Sequence, residues 1–152
     1  MVSPIIAKGA GKSIYYFNLD ANVGTNSPNK PDDVQLVQFG YLAMSVAADV
    51  SPAEKPIYAK VVPGAAYSGG LSDPLTIAIK THQAARGGTQ DGHVSVMTGN
   101  LSYGDGTGSH TFQLTGLVNH IRDFTKGNYP RLDKHPKCPA ALKAAVLRIC
   151  GE

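Results

Sequence analysis

The sequence predicts a mainly helical domain with short β-strands, and three observations lead to this fold class. Apolar residues recur every three or four positions in several segments, as they do on one face of an amphipathic helix. Aspartate or proline opens most of these segments, and glycine follows the ends of several. The chain has 152 residues and 42% of them are hydrophobic, so one domain can bury a core without disulfides or a metal.

Composition excludes several classes of protein. The 17 glycines and 10 prolines recur too often for long heptad runs, which excludes a coiled coil. No stretch approaches the roughly 18 continuous apolar residues of a membrane helix, so we expect no membrane insertion. The hydrophobic fraction is also too high for a disordered linker.

The first elements are a strand and a long helix. A β-branched and aromatic run at 13–19 predicts a strand, and an Asn-, Gly- and Pro-rich loop follows at 22–30. Pro31 suits the first position of a helix, with two aspartates next to it that favour the helix dipole. The apolar stripe of this first helix consists of Val34, Val37, Tyr41, Met44 and Ala48.

An irregular segment at 49–70 separates the first helix from the second. It reads as an insertion with a strand-like piece at 57–62. The second helix has Asp73 as its N-cap and Pro74 in its first turn, and Gly87-Gly88 stops it. Its inner face consists of Leu75, Ala78, Ile79, His82 and Ala85, and we expect His82 to be a hydrogen-bonded core residue.

The last third of the chain contains two more helices. Residues 89–110 are rich in turns, with a weak strand at Val94 and Val96 and a glycine-rich hairpin tip at Gly104–Ser109. A third helix is predicted at 112–125, and a fourth begins at Pro139. The predicted organisation is one domain over 1–152. It has an N-terminal strand and loop (1–30), a helical core with the insertion (31–125) and a C-terminal extension (126–152).

Charge is concentrated at the C-terminal end. Residues 1–121 carry a net charge of −1, and residues 122–152 carry +4. A basic segment of this kind is either a solvated helix face or a contact for an anionic polymer. Like charges form no run of five, and aromatic residues do not alternate with the basic ones, so the sequence does not predict nucleic-acid binding.

Motifs for catalysis, cofactors and metals are weak. Gly9–Ser13 resembles the end of a phosphate-binding loop, but Ile6 stands where that loop needs glycine, so we expect a flexible turn. The five histidines show no metal-ligand spacing, and no Gly-x-Ser-x-Gly elbow is present. We therefore predict a non-catalytic protein without metal or cofactor. The one chemically suggestive group is Cys138, near His135 and Lys137 at a helix start, where the pKa of a thiol can be lowered, although a cysteine there is more often a packing or capping residue.

Cys138 and Cys150 are predicted to be free thiols. Twelve residues of mostly helical chain would place them about 18 Å apart, beyond the roughly 7 Å that a disulfide allows. Free thiols are typical of cytoplasmic proteins. The N-terminus shows no conventional signal peptide, so we expect synthesis in the cytoplasm and, if the protein is exported, a route that needs no leader.

One ordered set of motifs resembles a known family. Asp33-Val34 and Val37-Gln38 lie on the first helix, Gly70–Thr76 forms the following turn, and His82-Gln83 on the second helix precedes Asp91–Val94. Over residues 30–98 this order is similar to the peptidoglycan-binding-like three-helix module. That family has an Asp-Val…Leu-Gln helix, a Gly-x-x-Gly-x-x-Thr turn, a Phe-Gln helix and an Asp-Gly-x-Val turn.

The resemblance implies roles for particular residues. Gln38 and Gln83 can each tie down a neighbouring loop through the side-chain amide, and Thr76 can cap the helix that it opens. Asp91-Gly92 supplies a tight reversal. Asp73 stands where the family has its second glycine and His82 where it has an aromatic residue, and the insertion exceeds the usual loop. With these departures, the chain can retain the family's fold while lacking its glycan binding, because a fold does not fix a function.

Two functions from different classes follow, with a small cell-wall hydrolase as a distant third. The first is a structural or adaptor protein of a phage or bacterial secretion particle, which makes protein–protein contacts. The alternative is a peptidoglycan-binding module with a shallow polar groove bordered by the insertion. For either function we expect Tyr58 and Tyr67 to be exposed in the insertion. The candidate ligand-binding residues are Tyr58, Tyr67, Asp73, Thr76, Asp91 and His93.

Overall fold

The computed structural model describes residues 2–9, 12–98, 101–102 and 112–151. Within these ranges the chain is mainly helical, with a few short strands, as the sequence predicts. The predicted hairpin tip at Gly104–Ser109 lies outside them. The strands are β1 (Ser3–Gly9), β2 (Lys12–Asn18), β3 (Val23–Gly24), β4 (His93–Val94) and β5 (Leu101–Ser102), and the helices are α1 (Pro31–Ser45), α2 (Lys55–Ala59), α3 (Pro74–Ala85), α4 (Gln113–Thr125) and α5 (Ala140–Cys150).

The strands form two small sheets. The predicted strand at 13–19 is confirmed as β2, and it pairs antiparallel with β1 from Ser3↔Asn18 to Gly9↔Lys12. β5 pairs in parallel with the other edge of β1, and a separate antiparallel pair joins β3 to β4. The sequence analysis missed β1 and expected a flexible turn at Gly9–Ser13. Gly9, Lys12 and Ser13 are instead strand residues paired between β1 and β2, and residues 10–11 of the expected turn lie outside the described ranges.

Helix α1 begins at Pro31 as predicted and ends at Ser45, three residues before the end of the predicted stripe. At its middle, a Cβ on Gly40 would lie 2.9 Å from a methyl carbon of Leu117 on α4. Glycine at this position therefore allows α1 and α4 to approach closely. This close packing offsets the roughly 1 kcal/mol that glycine costs in a helix relative to alanine.

The strand-like piece predicted at 57–62 is wrong, because the chain forms the short helix α2 there. The helix turns Tyr58 inward, and the ring of Tyr58 stacks on Tyr41 of α1 with 5.2 Å between ring centroids. The Tyr58 hydroxyl donates a hydrogen bond to Glu54, four residues earlier, at 2.7 Å. The ring stacking and the hydrogen bond of Tyr58 both stabilise the helical conformation here, whereas an isolated strand would lack a neighbouring strand to pair with.

The predicted convergence of three helices on one core is confirmed. α1 packs against α4 and α5, and α2 lies against both α1 and α3. All seven residues that the sequence places in this core are buried in one hydrophobic cluster: Val34, Val37, Tyr41, Leu75, Ile79, Leu117 and Ile121.

Polar side chains of α1 hold irregular segments of the chain. The buried Asp33 carboxylate accepts hydrogen bonds from the N–H groups of Asp20 and Ala21 at 3.0 and 3.1 Å. Gln35 accepts from the N–H of Leu142 at 2.9 Å, which attaches the start of α5. α1 therefore fixes the loop before it and the C-terminal extension as well as the core.

Gln38 of α1 ties down the insertion, as the sequence predicts. Its Oε1 accepts from the N–H of Gly64 at 2.9 Å, and its Nε2 donates to the carbonyl of Ala65 at 3.0 Å. Because Gln38 is itself buried, both bonds satisfy polar groups that would otherwise lack partners.

Two further expectations concern the cysteines and the membrane. Cys138 and Cys150 are both free thiols, so the predicted absence of a bond between them is confirmed. In the part of the chain that the structure describes, each helix is too short or too polar to span a bilayer.

Candidate functional site

The N-terminal end of α3 contains two of the predicted site residues. Asp73 is the N-cap, and its Oδ1 accepts from the N–H of Leu75 at 2.8 Å, as predicted. The expected capping role of Thr76 is wrong, because Asp73 already fills it. Thr76 is fully buried instead, and its hydroxyl lies 2.6 Å from the hydroxyl of Tyr67.

Gln83, near the other end of α3, holds the turn at Asp91–Val94. Its Nε2 donates to Asp91 Oδ1 at 2.8 Å and to the carbonyl of His93 at 2.9 Å. Its Oε1 accepts from the N–H of Gly92 at 3.0 Å. The predicted tie between Gln83 and this turn is confirmed. Three bonds from one buried amide fix the position of the turn relative to α3.

The same turn is held from its other side by β3. Thr25, which follows β3, donates from its N–H to the Gly92 carbonyl at 3.0 Å and from its hydroxyl to the Asp91 carbonyl at 2.9 Å. Gly92 has a φ of +79°, and a Cβ there would lie 2.9 Å from the Thr25 hydroxyl oxygen. The tight reversal predicted at Asp91-Gly92 thus needs glycine for both its conformation and its packing.

A groove of about 320 Å³ lies between the C-terminal end of α3, the Asp91–Val94 turn and the start of α4. We call it the α3–α4 groove. Most of its lining is polar, and Phe112 adds an aromatic ring. The lining residues are Gln83, Arg86, Gly88, Thr89, Asp91, His93, Ser95, Phe112 and Gln113.

Among the described lining residues, three carry ionisable side chains: Arg86, Asp91 and His93. Arg86 is the C-cap of α3, and partial burial lowers the pKa of its guanidinium, which remains charged. Asp91 Oδ1 accepts from the N–H of His93 at 3.1 Å, and its Oδ2 lies 3.4 Å from His93 Nε2. The carboxylate of Asp91 is therefore directed at Gln83 and His93.

A buried polar cluster lies behind the groove. Nε2 of Gln113, at the start of α4, donates to the Tyr41 hydroxyl at 2.9 Å and lies 3.1 Å from Nδ1 of His82. The Tyr41 hydroxyl is itself 3.2 Å from His82 Nδ1. Burial, and then the nearby charge of Arg86, lower the pKa of His82 to about 4. His82 is a neutral, hydrogen-bonded core residue, as predicted.

The six candidate residues do not form one site. Asp91 and His93 lie together in the α3–α4 groove. Asp73 and Thr76 lie at the opposite end of α3, about 18 Å along a 12-residue helix. The predicted exposure of Tyr58 is wrong, since its ring fills the core beside Tyr41. Tyr67 is half-buried.

The insertion does not border the α3–α4 groove, contrary to expectation. It lines other cavities, one of about 100 Å³ beside Lys60 and Asp73. The sequence analysis also missed Arg86, Phe112 and Gln113. The only sequence signal that they share is their position, at the end of α3 or at the start of α4. Tertiary packing brings these two helix ends together, and the sequence pattern does not show it.

The structure favours a packing role for Cys138 over a reactive thiol. Burial, and then the nearby Asp133 carboxylate, raise the pKa of its thiol to about 12. A helix start and basic neighbours can shift this pKa in the opposite direction, but the thiol lies in a desolvated position that outweighs them. At neutral pH Cys138 is a protonated, weakly nucleophilic group.

Metal-ligating residues show no candidate cluster in the described ranges: no three His, Cys, Asp or Glu side chains come together there as a metal site requires. Comparison with known proteins found no matching family model, no matching curated protein and no matching solved structure. The resemblance to the peptidoglycan-binding-like module therefore stays a prediction, based on the motifs quoted above.

Proposed function

We propose that the protein is a non-catalytic binding module that contacts another protein through the α3–α4 groove. It would serve as an adaptor or structural protein of a larger assembly, such as a phage or bacterial secretion particle. The observation that carries this proposal is the groove, in which polar side chains from three separate parts of the chain meet around one aromatic ring.

Rigidity of the lining supports binding. Gln83 is fixed by three hydrogen bonds to the Asp91–Val94 turn, and Gln113 is fixed by the buried cluster. Side chains that are already ordered lose little conformational entropy when a partner binds, so more of the interaction free energy appears as affinity. Asp91 holds His93 and the turn in place, which is a positioning role.

Peptidoglycan binding is the second candidate, and the glutamine ties favour it. Gln38 and Gln83 hold loops in the way that the resemblance implies for that family's scaffold. The two tyrosines do not separate the candidates, because their exposure was expected for either function, whereas Tyr58 is inside the core and the hydroxyl of Tyr67 is engaged with Thr76. We place protein contact first because Asp73 and His82 depart from the family's motif.

The test compares two tryptophan variants of the full chain. Thr89→Trp puts a large side chain into the groove, and Ala144→Trp puts the same side chain on an exposed position of α5. Each variant and the unaltered chain are used to capture partners from native lysate, with identification by mass spectrometry. In parallel, each is sedimented with insoluble peptidoglycan at physiological salt and at 1 M salt, where the Debye length is about 3 Å.

We expect a specific partner that Ala144→Trp retains and Thr89→Trp loses, with no pelleting in 1 M salt. Sedimentation that survives 1 M salt and is blocked by Thr89→Trp would favour the peptidoglycan candidate instead. Equal capture by both variants would contradict a binding role for the groove.

A further inference from the structure

The side-chain amide of Gln113 has an acceptor that the fold does not use, and this bears on what the α3–α4 groove recognises. The residue is 8% exposed, and its Nε2 lies 2.9, 3.3 and 3.1 Å from the Tyr41 hydroxyl, the Ile79 carbonyl and His82 Nδ1. A backbone carbonyl only accepts hydrogen bonds, so the contact with Ile79 fixes which atom of the amide is the nitrogen. The oxygen, Oε1, lies on the other side of the planar amide from these contacts.

This oxygen is available to a ligand. Among the described residues no donor bonds to Oε1 of Gln113, and it is not an enclosed atom that lacks a partner, so solvent reaches it. Gln113 lines the α3–α4 groove, which is the open space beside it. Because the nitrogen holds the amide in place, a donor that enters the groove meets an acceptor that is already ordered.

The charges of the lining favour a neutral ligand over an ion. Asp91 contributes a second acceptor, since its side chain is 41% exposed and its Oδ2 is 3.4 Å from His93 Nε2, longer than an ordinary hydrogen bond. Arg86 carries the opposite permanent charge in the same lining and already has an interaction partner. A cation or an anion in the groove would therefore meet a like charge, whereas a neutral donor would meet none.

We propose that the groove binds a carboxamide side chain of the partner protein, as in glutamine or asparagine, an inference that rests on the proposed function. A carboxamide is uncharged and has two N–H donors and one carbonyl acceptor. Its N–H groups can donate to Gln113 Oε1 and to the Asp91 carboxylate. The hydroxyls of Thr89 and Ser95, in the same lining, can donate to its carbonyl. The half-buried ring of Phe112 offers an apolar contact for its methylene groups.

The experiment is a titration of the full ¹⁵N-labelled chain with capped tripeptides, followed by amide chemical shifts. Each tripeptide has alanine on both sides of a variable central residue, an N-acetyl group and a C-terminal N-methylamide. Glutamine and asparagine at the centre supply the carboxamide. Glutamate γ-methyl ester keeps the carbonyl but has no side-chain N–H. Glutamate and lysine supply an anion and a cation, and alanine tests the peptide backbone alone.

Two methionine variants test the role of Oε1. Gln113→Met removes the oxygen and keeps a side chain of similar length, and Gln90→Met makes the same exchange at an exposed position of the loop after α3. Gln113→Met also removes the donor to the Tyr41 hydroxyl and the Ile79 carbonyl, so urea unfolding checks that both variants fold. The comparison of the glutamine peptide with its ester on the unaltered chain needs no variant and tests the inference even if Gln113→Met does not fold.

We expect a glutamine or asparagine peptide to shift the amides of Thr89, Gly92 and Gln113. The ester and alanine peptides should bind the unaltered chain about five- to tenfold more weakly, because they bring no side-chain donor to Oε1. The glutamate and lysine peptides should also bind more weakly than the carboxamide peptides. Gln113→Met should lose the preference for glutamine over its ester, and Gln90→Met should keep it.

Equal affinity for the carboxamide and ester peptides would overturn the inference. Tighter binding of the alanine, glutamate or lysine peptide would also overturn it, as would the absence of groove shifts with every peptide. A preference for the carboxamide that persists in folded Gln113→Met would contradict the role of Oε1. Failure of the proposed function shows separately, as partner capture that Thr89→Trp leaves unchanged.

Discussion

His82 is the buried residue whose protonation most directly makes the stability of the core depend on pH. Its ring is 7% exposed, and Nδ1 faces the hydroxyl of Tyr41 and the amide of Gln113. Protonation would place a charge among neutral groups and beside Arg86. The folded state therefore resists taking up this proton, whereas the unfolded chain accepts it at the ordinary histidine pKa of about 6.5.

This difference predicts acid destabilisation through His82. Because the folded pKa of His82 is lowered to about 4, the unfolded state binds more protons at intermediate pH. Stability is fully present above about pH 6.5 and is lost as pH falls toward 4, by about 3 kcal/mol at most. Urea unfolding of the unaltered chain and of His82→Gln from pH 7.5 to pH 4 measures it. Parallel stability curves for the two proteins would contradict the shift.

The two thiols make a second residue-scale prediction. Burial raises the pKa of both Cys138 and Cys150, so few thiolates are present at pH 7.5. Iodoacetamide without reductant should label Cys138 slowly in the folded protein and both cysteines rapidly in urea, as counted by intact mass. Fewer than two labels in urea would reveal a disulfide, and fast labelling of folded Cys138 would contradict its burial.

At the scale of single residues, sequence reasoning succeeded mostly where a side chain acts on a nearby segment, although Thr76 does not cap α3 as expected and Gln38 reaches 26 residues along the chain to Gly64. Asp73 as the cap of α3 and Gln83 as the tie to the Asp91–Val94 turn were both predicted, because each partner lies within ten residues. Tyr58 was wrong. Its environment depends on Tyr41, a residue on a different helix whose position the local pattern does not give.

Among the elements, α1 and α3 do more than fill the core, since their glutamines hold the irregular segments. Replacing Gln83 by alanine removes three hydrogen bonds and leaves the buried N–H of Gly92 without its acceptor. We expect a loss of about 1–3 kcal/mol of unfolding free energy. Amide exchange of Gly92 should also become faster than in the unaltered chain.

The control for this variant is Gln90→Ala, which changes the same residue type at an exposed position of the same loop. It should alter stability by less than about 0.5 kcal/mol. If Gln83→Ala and Gln90→Ala behaved alike, the tie between α3 and the turn would have no energetic role.

The helix and strand boundaries show which structural signals a single sequence contains. α1, α3 and α4 begin within one residue of their predicted starts, because proline, aspartate and apolar periodicity are local signals. α2 was predicted as a strand, since its few apolar residues fit either period. β1 was missed because its stability comes from pairing with β2 rather than from its own residues.

For the whole molecule, the meeting of α1, α2, α3 and α4 in one core predicts a sharp contrast between two isoleucines of α3. Ile79 is fully buried, and Ile77 is 44% exposed on the same helix. Ile79→Asp places a charge in the core and should abolish the cooperative thermal transition, because its cost approaches the total stability of a small domain. Ile77→Asp should melt within a few degrees of the unaltered chain.

Circular dichroism during heating measures both variants. An Ile79→Asp protein that melts at the same temperature as the unaltered chain would mean that α3 is placed wrongly.

The candidate groove was the feature least accessible to sequence reasoning. Asp91 and His93 were identified because they follow α3 in a recognisable turn. Arg86 and Phe112 were not, because the groove exists only where the end of α3 meets the start of α4, 26 positions apart in the chain. Such a juxtaposition is set by the packing of the whole core, which no local pattern encodes.

The central claim is that the α3–α4 groove is the surface that binds the partner. Hydrogen–deuterium exchange of the full chain, alone and with the partner identified by capture, tests it most directly. We predict that the partner slows exchange at residues 86–95, around Arg86 and the Asp91–Val94 turn. Slowed exchange confined instead to the exposed apolar residues Val62, Leu71 and Ile77, with residues 86–95 unchanged, would contradict the claim.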